Sequence, residues 1–82
     1  MDRKRILIVE DSEELRQAIY DSLISEYDVD QAGDAELALK SLNEKSYDLV
    51  VADIGLPNMD GFKFCESIKA QREKAELPVI EI

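Results

Sequence analysis

Histidine is absent from this 82-residue sequence, and Cys65 is its only cysteine. The absence of histidine removes the commonest general base and metal-binding side chain. A lone cysteine excludes an internal disulfide and a paired-cysteine zinc site, which favours a reducing compartment. The sequence also lacks a signal-peptide pattern and any apolar run long enough to span a bilayer. We therefore expect a cytoplasmic protein with no membrane segment.

Positive charge is also scarce, since 19 acidic residues oppose 10 basic ones and give a formal charge of −9. Nucleic acids and anionic membrane surfaces bind clustered Lys and Arg, so neither is expected as a direct partner. The one basic cluster, residues 3–5, is interpreted as a solvated lead into the first strand. The length and a hydrophobic fraction of 45% predict one small globular domain over residues 1–82.

Short apolar runs alternate with segments of helical period along the chain. The predicted strands cover residues 5–9, 27–31, 47–52 and 77–82. The predicted helices are one capped by Asp11 or Ser12 with a buried stripe of Leu15, Ala18, Ile19 and Leu23, one over residues 35–44 after Gly33-Asp34, and one after Asp60 that buries Phe64, Cys65 and Ile68. This alternation implies right-handed crossovers and a parallel α/β sheet.

Acidic residues follow two of these strands at the point where each strand ends. Glu10 and Asp11 follow the first strand, and Asp53 follows the third. The carboxyl ends of parallel strands meet at one edge, where ligands bind in open sheets. Helix capping would explain the first pair alone, and a turn would explain Asp53 alone, but neither explains all three at one edge. Three carboxylates repel one another unless a hard cation such as Mg²⁺ lies between them.

The segments ILIVED (6–11), AGDAELAL (32–39) and YDLVVADIGLPNMDG (47–61) resemble the response-regulator receiver domain of two-component signalling, which is CheY-like. The resemblance implies a flavodoxin-like doubly wound parallel sheet, here an incomplete (βα)3β unit with strand order 2-1-3-4. It also implies that Asp53 accepts a phosphoryl group. Glu10, Asp11 and Asp53, with the backbone carbonyl of Gly55, would bind Mg²⁺.

The function implied by this resemblance is that of a phosphorelay module, not an enzyme in the ordinary sense. Its phosphoryl source would be a sensor histidine kinase, a phosphotransfer protein or a small acyl phosphate, and exposed Glu14, Gln17 and Asp21 are candidate kinase contacts. The alternative is a truncated receiver that no longer transfers phosphate and acts as a self-associating assembly module. A small phosphatase is disfavoured because Gly55 stands where a second acid–base residue would be needed.

Receiver domains continue beyond the fourth strand, and two of their functional positions, a Ser or Thr and a Lys, would lie after Ile82. We therefore expect the N-terminal part of a receiver domain, with its fourth strand at an exposed sheet edge that favours self-association. Glu81 is unusual within a strand expected to be buried. It could contact a partner, discourage edge pairing or mark a frayed strand end.

Overall fold

A computed structural model describes residues 3–53, residue 66 and residues 78–81. In chain order, these residues form strand β1 (Arg5–Val9), helix α1 (Glu13–Leu23), strand β2 (Asp28–Ala32), helix α2 (Ala35–Glu44), strand β3 (Leu49–Ala52) and strand β4 (Val79–Glu81). The strands pair in parallel, in the order β2, β1, β3, β4. The predicted fold class and strand order are thus confirmed. The predicted third helix residues Phe64, Cys65 and Ile68 lie outside the described residues.

Three strands begin later than predicted, namely β2, β3 and β4, the last of which starts at residue 79 instead of 77. Strand β2 starts at residue 28, since the amide of Tyr27 donates to the Leu23 carbonyl (3.0 Å) and so extends the end of α1. Strand β3 starts at residue 49. Asp48 precedes it and bonds to Arg5 of β1 twice, since its amide donates to the Arg5 carbonyl (2.8 Å) and its carboxylate accepts the Arg5 amide (2.8 Å). Asp48 is therefore joined to β1, although it is exposed to solvent.

Both helices begin at short polar caps. Ser12, one of the two predicted candidates, caps α1 by accepting the Leu15 amide on its hydroxyl (3.3 Å). Asp34 caps α2 by accepting the Leu37 amide (2.8 Å), as predicted. No helix in the described part of the chain is long and apolar enough to cross a membrane.

The sheet face covered by α2, called here the α2 face, holds most of the described core. Alternate residues of β1 and β3 point to it, and α2 adds small residues that allow close approach to the sheet. Its buried members are Leu7, Val9, Ala32, Ala35, Ala38, Leu42, Tyr47, Val50 and Ala52. Burial of this apolar area is the main stabilising contribution that the described residues show.

The opposite face, called here the α1 face, is less well covered. Ile6, Ile8 and Val29 are buried there, so β1 is enclosed on both faces. Leu49 and Val51 of β3 are only half-buried, and Ile80 of β4 is 50% exposed. These residues border a groove of about 550 Å³.

The predicted buried stripe of α1 is only partly correct. Ile19 and Leu23 pack against the α1 face, but Leu15 is 47% exposed and Ala18 is exposed as well. In the first turn, the position directed toward the sheet belongs to Arg16, whose guanidinium reaches the end of β1. The stripe therefore runs through residues 16, 19 and 23. Because its first residue is polar, the hydrophobic pattern did not reveal it.

Candidate acidic metal and phosphorylation site

The ends of β1 and β3 bring three acidic side chains together. Val9 and Ala52 are partners in the parallel register, and the Asp53 amide donates to the Val9 carbonyl (2.9 Å). Glu10 and Asp53 therefore leave the sheet side by side. One carboxylate oxygen from each of Glu10, Asp11 and Asp53 lies within 4.8 Å of the other two. The sequence placed these three residues at one edge, and the structure brings them into one cluster; Gly55 lies outside the described residues.

Glu10 is the buried member of the cluster, with only 2% of its surface exposed. Its amide donates to the Ala32 carbonyl (3.1 Å) at the end of β2, and its Oε2 accepts the Ser12 amide (2.9 Å). Its other carboxylate oxygen, Oε1, has no hydrogen-bond partner among the described residues. A buried polar atom without a partner is costly, and such atoms in native proteins often await an ion or a water molecule.

Burial raises the pKa of Glu10 above its ordinary value of 4.5. The neighbouring carboxyl groups of Asp11 and Asp53 raise the pKa further, while the hydrogen bond from the Ser12 amide partly offsets these effects. Asp11 is exposed and Asp53 is half-buried, so the cluster opens to solvent on one side. The site therefore disfavours its own negative charge unless a cation compensates it.

The donor set fits a hard divalent cation. All three groups offer carboxylate oxygens, which Mg²⁺ prefers, and Mg²⁺ is commonly bound by one or two carboxylates while it retains several water molecules. The half-open side of the cluster leaves room for such water or for a substrate oxygen. A cation would also supply the missing partner of Glu10 Oε1 and favour the ionised form of that carboxylate.

Sequence reasoning missed one residue that contacts this site. Arg16 donates from Nη1 to the Glu10 carbonyl oxygen (2.8 Å) and from Nε to Gln31 Oε1 (3.2 Å). The available signal was a lone arginine four residues after the cap Ser12, in a first turn otherwise rich in acids. Its length would let it fold back from the helix to the strand end.

The three residues predicted as kinase contacts lie on the outer side of α1. Glu14, Gln17 and Asp21 are all exposed. Gln17 donates from Nε2 to Asp21 Oδ1 (2.9 Å), a spacing of four residues that joins neighbours on a helix surface. They are accessible to a partner, and their contact with a kinase stays a prediction.

Known proteins match this chain in sequence and in structure. The profile of the response regulator receiver domain family matches residues 6–82. The alkaline phosphatase synthesis transcriptional regulatory protein PhoP of Bacillus subtilis is 39% identical over 70 residues, which cover 84% of this chain and 29% of PhoP. The chemotaxis response regulator CheY4 of Vibrio cholerae has a TM-score of 0.90 at 28% identity, over 96% of this chain and 67% of CheY4.

A further similar structure is that of the response regulator TrrA of Thermotoga maritima in complex with Mg²⁺-BeF. Its TM-score is 0.80 at 25% identity, over 96% of this chain and 86% of TrrA. This chain spans less than a third of the length of PhoP.

Proposed function

The chain belongs to the response regulator receiver domain family, and we propose that it accepts a phosphoryl group on Asp53 in a Mg²⁺-dependent reaction. The observation that carries this proposal is the cluster of three carboxylates within 4.8 Å at the carboxyl edge of the sheet. Receiver domains interact with sensor histidine kinases or phosphotransfer proteins, and we propose such a protein as the phosphoryl donor. The complex of TrrA with Mg²⁺-BeF supports the requirement for Mg²⁺.

In the proposed step, a carboxylate oxygen of Asp53 attacks the phosphorus of a phosphohistidine. A bond between this oxygen and phosphorus forms while the phosphorus–nitrogen bond breaks, and the departing imidazole nitrogen keeps the electron pair. With acetyl phosphate as donor, acetate departs in the same way. Asp53 ends as an acyl phosphate, so the chain is an acceptor in the reaction and is not proposed to be an enzyme.

Glu10 and Asp11 are proposed to hold the ion next to Asp53, together with the backbone carbonyl of Gly55. Bound Mg²⁺ would neutralise charge on the transferred group and orient it for in-line attack. Asp53 suits the role of acceptor because it is half-buried, at the open side of the cluster, whereas Glu10 is enclosed. A bulky phosphoryl donor can approach Asp53 but not Glu10.

The experiment is incubation with acetyl phosphate and Mg²⁺, followed by intact-mass measurement and peptide mapping. We expect the mass to increase by one phosphoryl group, located on Asp53, and Asp53→Asn to abolish the increase while the circular dichroism spectrum is retained. Asp21→Asn makes the same chemical change on the exposed side of α1 and should leave labelling intact. Equal labelling of the Asp53→Asn protein would refute the assigned role.

A second function, self-association through β4, is favoured by a separate observation. Strand β4 lies at one edge of the described sheet, and Ile80 exposes half of its surface there. An apolar strand edge is a template for pairing with another chain. Sedimentation velocity should show a dimer or larger species, and Ile80→Lys should shift it toward monomer. A folded wild-type chain that stays monomeric at high concentration would exclude this second function.

A further inference from the structure

We propose that Arg16 is a positioning residue of the acidic site, and that its guanidinium fixes the geometry with which Glu10 and Asp11 bind Mg²⁺. This inference rests on the Mg²⁺ site proposed above. It concerns a side chain that is not itself a candidate ligand, because a guanidinium stays protonated and offers donors only. Arg16 would act through the backbone of its neighbours.

The first contact of Arg16 is to the peptide unit that joins the two acids. Nη1 donates to the carbonyl oxygen of Glu10 (2.8 Å), and that carbonyl belongs to the planar peptide group between Glu10 and Asp11. Holding the oxygen fixes the rotation of the whole plane. The direction in which the Asp11 side chain leaves the backbone is fixed with it. A single hydrogen bond thus orients two of the three proposed ligands.

The second contact gives the guanidinium its own anchor. Nε donates to Gln31 Oε1 (3.2 Å) on β2, so Arg16 spans the ends of two neighbouring strands. Gly33 lies against the same group, because a Cβ built there would stand 3.4 Å from Nη1. The guanidinium therefore lies close to the turn after β2.

Arg16 completes a set of three anchors on Glu10. The amide of Glu10 is held by the Ala32 carbonyl (3.1 Å), Oε2 by the Ser12 amide (2.9 Å) and the carbonyl oxygen by Arg16. Only Oε1 is left without a partner among the described residues. Outer contacts of this kind orient ligands and tune metal affinity in known metal sites.

The charge of Arg16 makes the inference testable, because its charge and its positioning contacts should have opposite effects on Mg²⁺ affinity. A positive charge near a cation site repels the cation, so its removal should by itself strengthen Mg²⁺ binding. Loss of the positioning contacts should weaken binding. The sign of the change in affinity therefore separates the two roles.

The experiment measures Mg²⁺ affinity by calorimetry and by amide NMR shifts of residues 10–12, with MgCl2 alone as the probe. We expect Arg16→Gln to weaken Mg²⁺ binding about tenfold, the lower end of the range for outer contacts of metal sites. The control is Arg3→Gln, which removes the same charge before the opposite end of β1 and should not weaken binding. Arg16→Lys keeps the charge but cannot reach both acceptors, so it should also bind Mg²⁺ more weakly.

Thermal unfolding without Mg²⁺ shows whether each variant is folded. If Arg16→Gln fails to fold, Gln31→Ala is the variant that tests the inference. Gln31 is exposed, and its loss removes only the anchor of the guanidinium. We then expect Gln31→Ala to bind Mg²⁺ several-fold more weakly than the wild type. Unchanged or tighter binding in the folded Arg16→Gln variant, or in Gln31→Ala if that variant decides, overturns the inference but leaves the proposed function intact. Failure of the wild-type chain to bind Mg²⁺ overturns both.

Discussion

Two buried polar side chains in this molecule differ in how their hydrogen-bonding groups are satisfied. Tyr47, 6% exposed, donates its hydroxyl to Asp30 Oδ2 (2.7 Å), and the Lys45 ammonium lies 3.3 Å from the same oxygen. Glu10, 2% exposed, has one paired carboxylate oxygen and one without a partner among the described residues. Burial is the main cause of a raised pKa in both groups. The two side chains differ in the groups that surround them.

The raised pKa of Tyr47 has no functional consequence near neutral pH, because tyrosine is already neutral there. Its hydroxyl and Asp30 form a structural link between β2 and the approach to β3. Glu10 instead has two other carboxyl groups as neighbours, which oppose its ionised form. Burial combined with like charges at a strand end is characteristic of functional sites. The comparison therefore separates a polar group that stabilises the fold from one that costs stability and is proposed to bind a metal ion.

The largest expected effect is on metal binding at the acidic cluster. Glu10→Gln removes the charge of a proposed ligand and should weaken Mg²⁺ binding by at least about 100-fold, the upper end of the range for outer contacts of metal sites. Isothermal titration calorimetry measures this change. Tyr47→Phe is the matched control, because it alters the other buried polar group and should bind Mg²⁺ as the wild type does. Parallel losses in the two variants would remove the distinction between them.

The second prediction concerns the stability supplied by Tyr47. Tyr47→Phe removes the hydroxyl and should lower the free energy of unfolding by about 1–2 kcal/mol, since the lost hydrogen bond is made to a charged acceptor. The lower end is favoured because the Asp30 side chain is 34% exposed and water can replace the hydroxyl. Urea unfolding without metal measures this cost. An equally stable variant would show that the buried link contributes nothing net.

The third prediction is a gain in stability, in contrast to the loss expected for Tyr47→Phe. Without metal at neutral pH, Glu10→Gln should raise the free energy of unfolding by on the order of 1 kcal/mol, because it replaces an uncompensated buried charge with a neutral group of the same shape. Urea unfolding with excess chelator is the measurement. With Mg²⁺ at a concentration that saturates the wild type the order should reverse, since the wild type binds the ion more tightly and gains more stability from it. A variant less stable than the wild type in chelator would mean that the charge is already compensated.

The smallest effect expected is the pH dependence of this difference. The pKa of Glu10 is raised in the folded chain above its ordinary value of 4.5, so its contribution to stability is fully present below pH 4.5 and is lost as pH rises through the folded pKa. The stability advantage of Glu10→Gln without metal should therefore be near zero in acid and grow toward neutral pH. Urea unfolding curves of the wild type and of Glu10→Gln, measured from acid to neutral pH, provide the test. An advantage independent of pH would assign the effect to packing.

Local pattern was enough to predict most of the elements and the acidic cluster. Continuous apolar runs marked β1 and β3, and Glu10 and Asp53 stood directly after them. Parallel strands place these residues at one edge of the sheet, and the strand order implied by the resemblance to receiver domains makes β1 and β3 neighbours, so the proximity of the acids was expected. Helix α2 was predicted with its observed limits, because its cap Asp34 and its apolar period agree.

Predictions failed where a polar side chain took a place that the pattern reserves for an apolar one. Leu15 and Ala18 were expected to be buried, yet Arg16 faces the sheet in their stead. The predicted starts of β2 and β3 were too early by one and two residues, since the Tyr27 amide donates to the Leu23 carbonyl at the end of α1 and Asp48 bonds to Arg5 from the position before β3. The contacts of Arg16 and Asp48 join residues far apart in the chain or depend on a side-chain rotamer, and hydrophobic periodicity carries neither kind of information.

By itself, then, the amino-acid sequence determined the alternation of strands and helices and the edge at which the acids gather. The alternation follows from local hydrophobic period and the shared edge from the direction of parallel strands, whereas the strand order 2-1-3-4 was implied by the resemblance to receiver domains. Only the tertiary structure decided that Glu10 is enclosed while Asp53 stays accessible. It also decided that Arg16 holds the peptide group between Glu10 and Asp11. Burial and hydrogen-bond geometry depend on how separate segments pack, and that is settled only when the whole chain is folded.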